Sequence, residues 1–188
     1  MKTILPVLFF LLIAPFSSAQ INYNFLQVSV GTAESEDNFG FEGDATLWGV
    51  YGNSELNKNN YLEYLFSFAK NDENTVHTYT YGVGIGGHKS ISDSVDVFGS
   101  VGLVGVTVDT YYADSSGSEP YFRLGMRNQY IRLMTTIIDG ESGHSLEFDL
   151  PIDKSTTINF SYSTSTIDYD NGYEVETNGL AIGFKATF

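Results

Sequence analysis

The chain closes on Leu180-Ala-Ile-Gly-Phe-Lys-Ala-Thr-Phe188. Leu180, Ile182, Phe184, Ala186 and Phe188 share one parity, and Ala181, Gly183, Lys185 and Thr187 share the other. Successive side chains of a strand point to opposite faces, so this is a strand with one apolar face and one small or polar face. The same period of two recurs outward from it. Ile158, Phe160 and Tyr162 alternate with Asn159, Ser161 and Ser163. Phe122, Leu124 and Met126 share a face, as do Leu62, Tyr64, Phe66 and Phe68. Tyr79, Tyr81, Val83 and Ile85 alternate with Thr80, Gly82, Gly84 and Gly86.

This patterning predicts an all-β chain of ten strands, near 22–31, 44–53, 60–70, 76–89, 95–109, 120–127, 130–139, 144–150, 155–167 and 176–188. Strands 1, 2 and 8 are the less clear ones. Eight strands is the alternative, reached by merging the weak central pair. Several strands reach the roughly 9–11 residues that a tilted strand needs to cross a bilayer. The chain holds 13 Tyr, 14 Phe, 1 Trp and 19 Gly. A secreted β-sandwich could share that composition. A closed antiparallel up-and-down transmembrane barrel explains it more directly, because every second residue must then be apolar and the interfaces favour aromatic rings.

The first residues carry a different signal. Met1-Lys2 is a short positive start, residues 4–16 are apolar apart from Pro6 and Pro15, and Ser17-Ser18-Ala19 offers small residues for cleavage. The apolar run falls short of the roughly 20 residues of a spanning helix. Residues 1–19 are therefore expected to be a secretory signal peptide, leaving 20–188 as one barrel domain. The chain has no cysteine, which excludes a lipoprotein anchor, a disulfide framework and a thiolate metal site.

The connections are expected to alternate between short turns (53–59, 90–94, 128–129, 151–154) and mostly longer, acidic loops (31–43, 71–75, 110–119, 139–143, 167–175). Most of the 23 acids, among them Glu34, Glu36, Glu42, Asp44, Glu174 and Glu176, fall in or beside the second set. Lys58, Lys89 and Lys154 fall at the first. The formal net charge of -14 is thus read as an acidic crown at one end. Such a surface repels phosphates, so nucleic acid is not an expected partner. Solubility of exposed loops is the first reading of this charge, and binding of cations or a cationic partner at the acidic loops is the second.

Charged residues within the strands fall on the face opposite the apolar one. Glu63, Asp96, Arg123, Arg127, Arg132, Glu147, Asp149 and Lys185 each alternate with apolar neighbours. A lipid-facing Arg or Lys at mid-depth would cost roughly 2–4 kcal/mol. All eight are therefore expected inside, as a balanced set of acids and bases that pair with one another because buried charges need partners. Glu147 and Asp149 are the nearest candidate partners for the three arginines. A structural network is the first reading and an ion pathway the second, since polar lumen residues also line small pores.

Tyr23 to Gly31, Tyr81 to Asp93, Val95 to Val104 and Gly179 to Phe188 carry a family resemblance. With its aromatic-and-glycine strands, its short Ser/Asp turn at Ser90–Asp93 and its terminal aromatic strand, the chain resembles the small outer-membrane β-barrel proteins of Gram-negative bacteria. These are broadly the proteins likened to the transmembrane domain of outer-membrane protein A. The resemblance covers the mature chain as a pattern rather than a signature. It implies the bacterial outer membrane, with both chain ends on the periplasmic side. It implies outer-membrane lipid, including lipopolysaccharide, as surroundings. It also implies recognition of Leu180, Ile182, Phe184 and Phe188 by the barrel-assembly machinery. No periplasmic peptidoglycan-binding domain is expected after Phe188, and the resemblance implies little about activity.

Candidate chemistry is thin. His144 is expected in an acidic loop near Asp139 and Glu141, where a His with a carboxylate could act as a general base. Gly143-His144-Ser145 does not carry the spaced His and Ser pattern associated with lipid A deacylases, and the paired acidic motifs of the surface proteases are not evident. His77 and His88 are read as lacking ligand-spaced partners, so no metal site or cofactor is expected. The acidic stretch from Asp168 to Glu176 could suit calcium, but Asn171-Gly172 is first a hairpin turn. Gly82, Gly84 and Gly86 continue a strand, whereas a phosphate-cradling loop must open a helix. They are read as giving room to inward neighbours. The expectation is a non-catalytic membrane barrel with a structural or surface-interaction role. A narrow pore is the alternative, and an outer-leaflet enzyme stands behind both.

Overall fold

The structure, a computed structural model, describes residues 21–40, 42–71, 76–109, 114–168 and 174–188. The expected signal peptide and residues 169–173 of the acidic stretch lie outside the described residues. Ten strands form: β1 (Phe25–Asp37), β2 (Glu42–Asn57), β3 (Asn60–Asn71), β4 (His77–Ser92), β5 (Val95–Asp109), β6 (Asp114–Arg127), β7 (Ile131–Ile138), β8 (Glu141–Pro151), β9 (Thr156–Asp168) and β10 (Glu174–Thr187). Each pairs antiparallel with its neighbours in sequence. β1 pairs with β10, so the sheet closes. The closing register runs from Phe25 opposite Thr187 to Asp37 opposite Val175. Beyond it, Phe188 N–H donates to Asn24 O at 3.1 Å and Asn24 Nδ2 donates to Phe188 O at 2.8 Å.

Parity sorts the side chains as alternation requires. Leu26, Val28 and Val30 of β1, Val101 and Leu103 of β5, Phe122 and Leu124 of β6, and Leu180, Ile182 and Phe184 of β10 all point outward and stay exposed. Phe160 is 45% and Phe184 61% exposed, which excludes a sandwich with these rings in a dry centre. Such an apolar outer wall is matched to a lipid solvent and unsuited to water. An aromatic cluster sits on it: Trp48 packs 5.3 Å from Phe66 and 5.8 Å from Phe68, and Phe68 lies 5.1 Å from Tyr79.

The strands run further than their sequence suggests, and this corrects the expected loops. The connection read as 31–43 spans only residues 38–41, because β1 continues to Asp37 and β2 starts at Glu42. The loop read as 139–143 is the two-residue turn Asp139-Gly140. Both residues have positive φ, 51° and 85°. That is the handedness that matches strand twist in a tight hairpin, and an Asp-Gly pair accepts it readily. The acids therefore decorate strand ends. Glu42, Glu36 and Glu176 lie opposite one another across β2, β1 and β10, and Glu34 lies opposite Asp44. Like charges in direct register are destabilising, so these strand ends require water and counter-ions around them. At the opposite end, Asp153 closes the β8–β9 turn. The Ser155 and Thr156 N–H groups donate to Asp153 Oδ1 at 2.8 and 2.9 Å. Those bonds, Ser155 first, hold its carboxyl below the usual carboxylate range.

Leu124→Arg tests the outward wall. It is expected to lower the free energy of unfolding from lipid by roughly 2–4 kcal/mol if Leu124 lies near mid-depth. Urea titration in bilayers, read by gel mobility of the folded band, measures it.

Candidate functional site

The interior is built on the faces opposite the apolar wall, and all eight strand charges lie there. Glu63, Asp96, Arg123, Arg127, Arg132, Glu147 and Lys185 are buried, and the Asp149 side chain keeps only 12% of its surface. Three ion pairs link them: Arg123 with Glu63, Arg132 with Glu147, and Lys185 with Asp149.

Glu63 is fully buried on β3. Arg123 Nη1 lies 2.7 Å from its Oε1. The Tyr121 hydroxyl donates to the same oxygen at 2.6 Å and Ser100 Oγ at 3.2 Å. The Tyr51 hydroxyl donates to Oε2 at 2.8 Å. A buried carboxylate is tolerable only when surrounded in this way. The sequence makes the approach possible through glycines. Glu63, Gly84, Gly102 and Tyr121 stand in one cross-strand row over β3, β4, β5 and β6. Tyr121 lies flat over the two glycines to reach Glu63. A Cβ on Gly84 would fall 2.1 Å from the Tyr121 oxygen, and one on Gly102 2.6 Å from its ring. Gly86 serves Tyr61 likewise, with 2.2 Å to the ring. Gly84 and Gly86 of β4 are thus spacers for inward tyrosines, while a Cβ on Gly82 would meet Leu103 O and Leu65 instead.

A second group lies over β8, β9 and β10. Asn159 Nδ2 donates to Glu147 Oε2 at 3.1 Å and to Asp149 Oδ1 at 2.8 Å. Asn159 Oδ1 accepts from Gln27 Nε2 at 2.9 Å. Aromatic faces complete the interior. The fully buried Phe25 ring has Lys185 Nζ at 5.3 Å, Arg132 at 5.5 Å and Arg127 at 5.9 Å. Tyr51 faces Arg132 at 5.0 Å and Arg123 at 5.5 Å. A ring face carries negative potential and attracts cations where water is excluded.

The expected pairing holds only for Arg132, which stands directly opposite Glu147 on the adjacent strand. Arg123 takes Glu63 across the lumen, and Asp149 takes Lys185 over the intervening β9. Arg127 forms no ion pair among the described residues. Its Nη2 donates to Asn22 O at 3.1 Å, and its guanidinium lies 4.6 Å from the Tyr23 ring. Asp96 has His88 Nδ1 at 3.5 Å, a partner missed from sequence. In a narrow closed sheet, non-adjacent strands face each other across the bore, so the nearest opposite charge need not be on the next strand. Tyr51, Tyr121, Asn159 and Phe25 were legible as inward residues from parity alone, but not as partners.

Leu180, Ile182 and Phe184, the residues expected to be read by the assembly machinery, face outward on β10, and Phe188 is exposed at its end. His144 is not in a loop. It lies on the outward face of β8 with Nδ1 3.0 Å from Thr135 Oγ1, opposite it on β7. Among the described residues, no group of three or more His, Asp or Glu side chains is arranged to hold a metal ion.

No family model matches the chain, and no curated protein matches it. Solved outer-membrane barrel structures do match. Neisserial surface protein A is 13% identical, over 87% of this chain and 96% of that one, with a TM-score of 0.45. The attachment invasion locus protein Ail of Yersinia pestis is 17% identical, over 86% and 98%, with a TM-score of 0.35. The outer membrane protein OprG of Pseudomonas aeruginosa is 10% identical, over 89% and 97%, with a TM-score of 0.42.

Two measurements test the interior. Glu63→Gln leaves Arg123 buried and uncompensated, and is expected to cost about 3–5 kcal/mol. Adding Arg123→Gln should then cost less than the sum of the single changes, by roughly 0.5–3 kcal/mol in a double-mutant cycle of urea midpoints. Gly84→Ala, which forces Tyr121 off Glu63, should cost about 1–3 kcal/mol. Gly117→Ala, where a Cβ meets nothing within 4 Å, should leave the thermal midpoint near that of the parent.

Proposed function

We propose that the protein is an integral barrel of a bacterial outer membrane that acts as a rigid anchor. It would present carboxylate-rich strand ends outside the cell. The observation that carries this reading is the filled interior. Glu63, Arg123, Tyr51 and Tyr121 form one contacting group, and Arg132, Glu147, Asn159, Asp149 and Lys185 form another. Each charge in them has an opposite charge within ion-pair distance, as a plug requires and a conducting path does not. In this orientation the start of β1, the end of β10 and the 58–59, 93–94, 128–130 and 152–155 turns face the periplasm. The acidic strand ends then stand at the level of the outer headgroups. Divalent cations bridging Glu36, Glu42 and Glu176 to lipopolysaccharide phosphates, or a cationic partner, would offset the like-charge rows. The outward residues Leu180, Ile182, Phe184 and Phe188 are those the assembly machinery would read during insertion.

The narrow pore is the second reading, favoured by the polar character of the same residues. Planar-bilayer recording separates the two. The anchor predicts no steady unitary current from the parent protein, and Arg123→Ala and Glu147→Ala that lose heat resistance without gaining a defined conductance. Steady currents whose size changes in those variants would replace the anchor with the pore. An outer-leaflet enzyme would instead require that His144→Ala abolish a measurable turnover in a folded barrel.

A further inference from the structure

The chain does not simply enter β1 from outside the barrel. Residues 21–24 precede the first strand, and Asn24 is tied to the end of β10 through Phe188. Asn22 then turns the chain, its Oδ1 accepting from Asn24 N–H at 2.7 Å. This side-chain turn sends the chain across the bore. Tyr23 is 1% exposed and lies against strands far from β1. Its ring stacks on His88 of β4 at 3.7 Å and 11°, and on Tyr61 of β3 at 5.3 Å. It clusters with Phe98 of β5, and Ile21 packs on that cluster. Arg127 of β6 covers the ring at 4.6 Å and donates to Asn22 O at 3.1 Å. Tyr23 N–H donates to Glu55 Oε1 on β2 at 3.3 Å.

We propose that residues 21–24 are a cork, an intramolecular ligand of the barrel mouth. Tyr23 is held between an imidazole and a guanidinium in a slot floored by Tyr61 and Phe98. A planar aromatic ring is the ligand class the slot takes. Tyr23 fills it with stacking and cation–π contacts. No contact of residues 21–23 is part of the sheet ladder, so they can leave while the barrel stays closed. A cavity of about 770 Å³ lies against it, lined in part by Ile21, His88, Lys89, Asp93 and Asp96. Withdrawal of Tyr23 would join that cavity to the inward side of Phe98 and Ser100. The closure is separate from the Glu63 and Glu147 networks, and it stands whether or not the barrel is an anchor.

The chain has no cysteine, which makes a single-thiol experiment clean. Ser100 is 4% exposed, on the inward face of β5 two residues beyond Phe98. Ser100→Cys in the full-length, membrane-extracted protein is labelled with a small charged methanethiosulfonate, and only the folded gel band is scored. Adding Tyr23→Ala should speed labelling by about tenfold or more, because labelling follows the open population. Tyr23→Phe, which keeps the stack, should not speed it. Free p-cresol should slow labelling of the Tyr23→Ala protein by refilling the slot. If Tyr23→Ala yields no folded band, a chain whose mature form begins at Asn24 gives the same comparison. Labelling of the corkless protein at the parent rate, or p-cresol without effect on it, overturns the proposal.

Discussion

Backbone hydrogen bonding between β1 and β10 governs the architecture. A sheet in lipid cannot leave a row of N–H and C=O groups unpaired, because no water is there to satisfy them. The ladder from Phe25 opposite Thr187 to Asp37 opposite Val175 removes both edges at once. Closure then forces everything else. The wall has one face toward oil and one toward a narrow bore, so a side chain that suits neither has no place to go. Leu124 and Phe184 take the first face, and Glu63 and Arg123 take the second.

The bore is where the energetics become specific. Ten strands bring inward side chains within reach of partners several strands away. Charges are neutralised between strands that are not neighbours, Arg123 with Glu63 across the lumen and Lys185 with Asp149 over β9, and an aromatic face serves Arg127, which has no carboxylate partner among the described residues. Glycine is as much a part of this as charge. Gly84 and Gly102 clear the path by which Tyr121 reaches Glu63, and Gly86 clears that of Tyr61. The result is an interior fixed by contacts between distant strands, which suits a rigid anchor. Stiffness in the bore and carboxylates at one rim are complementary features of that reading. The first holds the strand ends in register, and the second gives them something to hold.

Several parts of this arrangement were legible in the chain. Parity assigned the faces of Leu180, Ile182 and Phe184, and of all eight interior charges. It also reached Arg132 and Glu147, because they stand on consecutive strands that pair directly. Other parts were misread for physical reasons. Asp139-Gly140 is a tight-turn signal, yet polar residues around it suggested a longer loop. The acidic strand ends lack the apolar alternation of a lipid wall, because beyond the bilayer both faces meet water. His144 shares the parity of Leu146 and Phe148, and was assigned to a loop by its acidic neighbours rather than by that parity.

The sequence by itself determined the strands, their two faces and the sorting of charges inward, because a period of two is a local property of extended backbone. Which inward group meets which was decided by the tertiary structure. Glu63 and Arg123 become partners only when the sheet curls, and Tyr23 becomes a plug only when its segment crosses the mouth to His88 and Arg127. Alternation records the side of the sheet on which a residue stands. It carries no information about what stands across the circle.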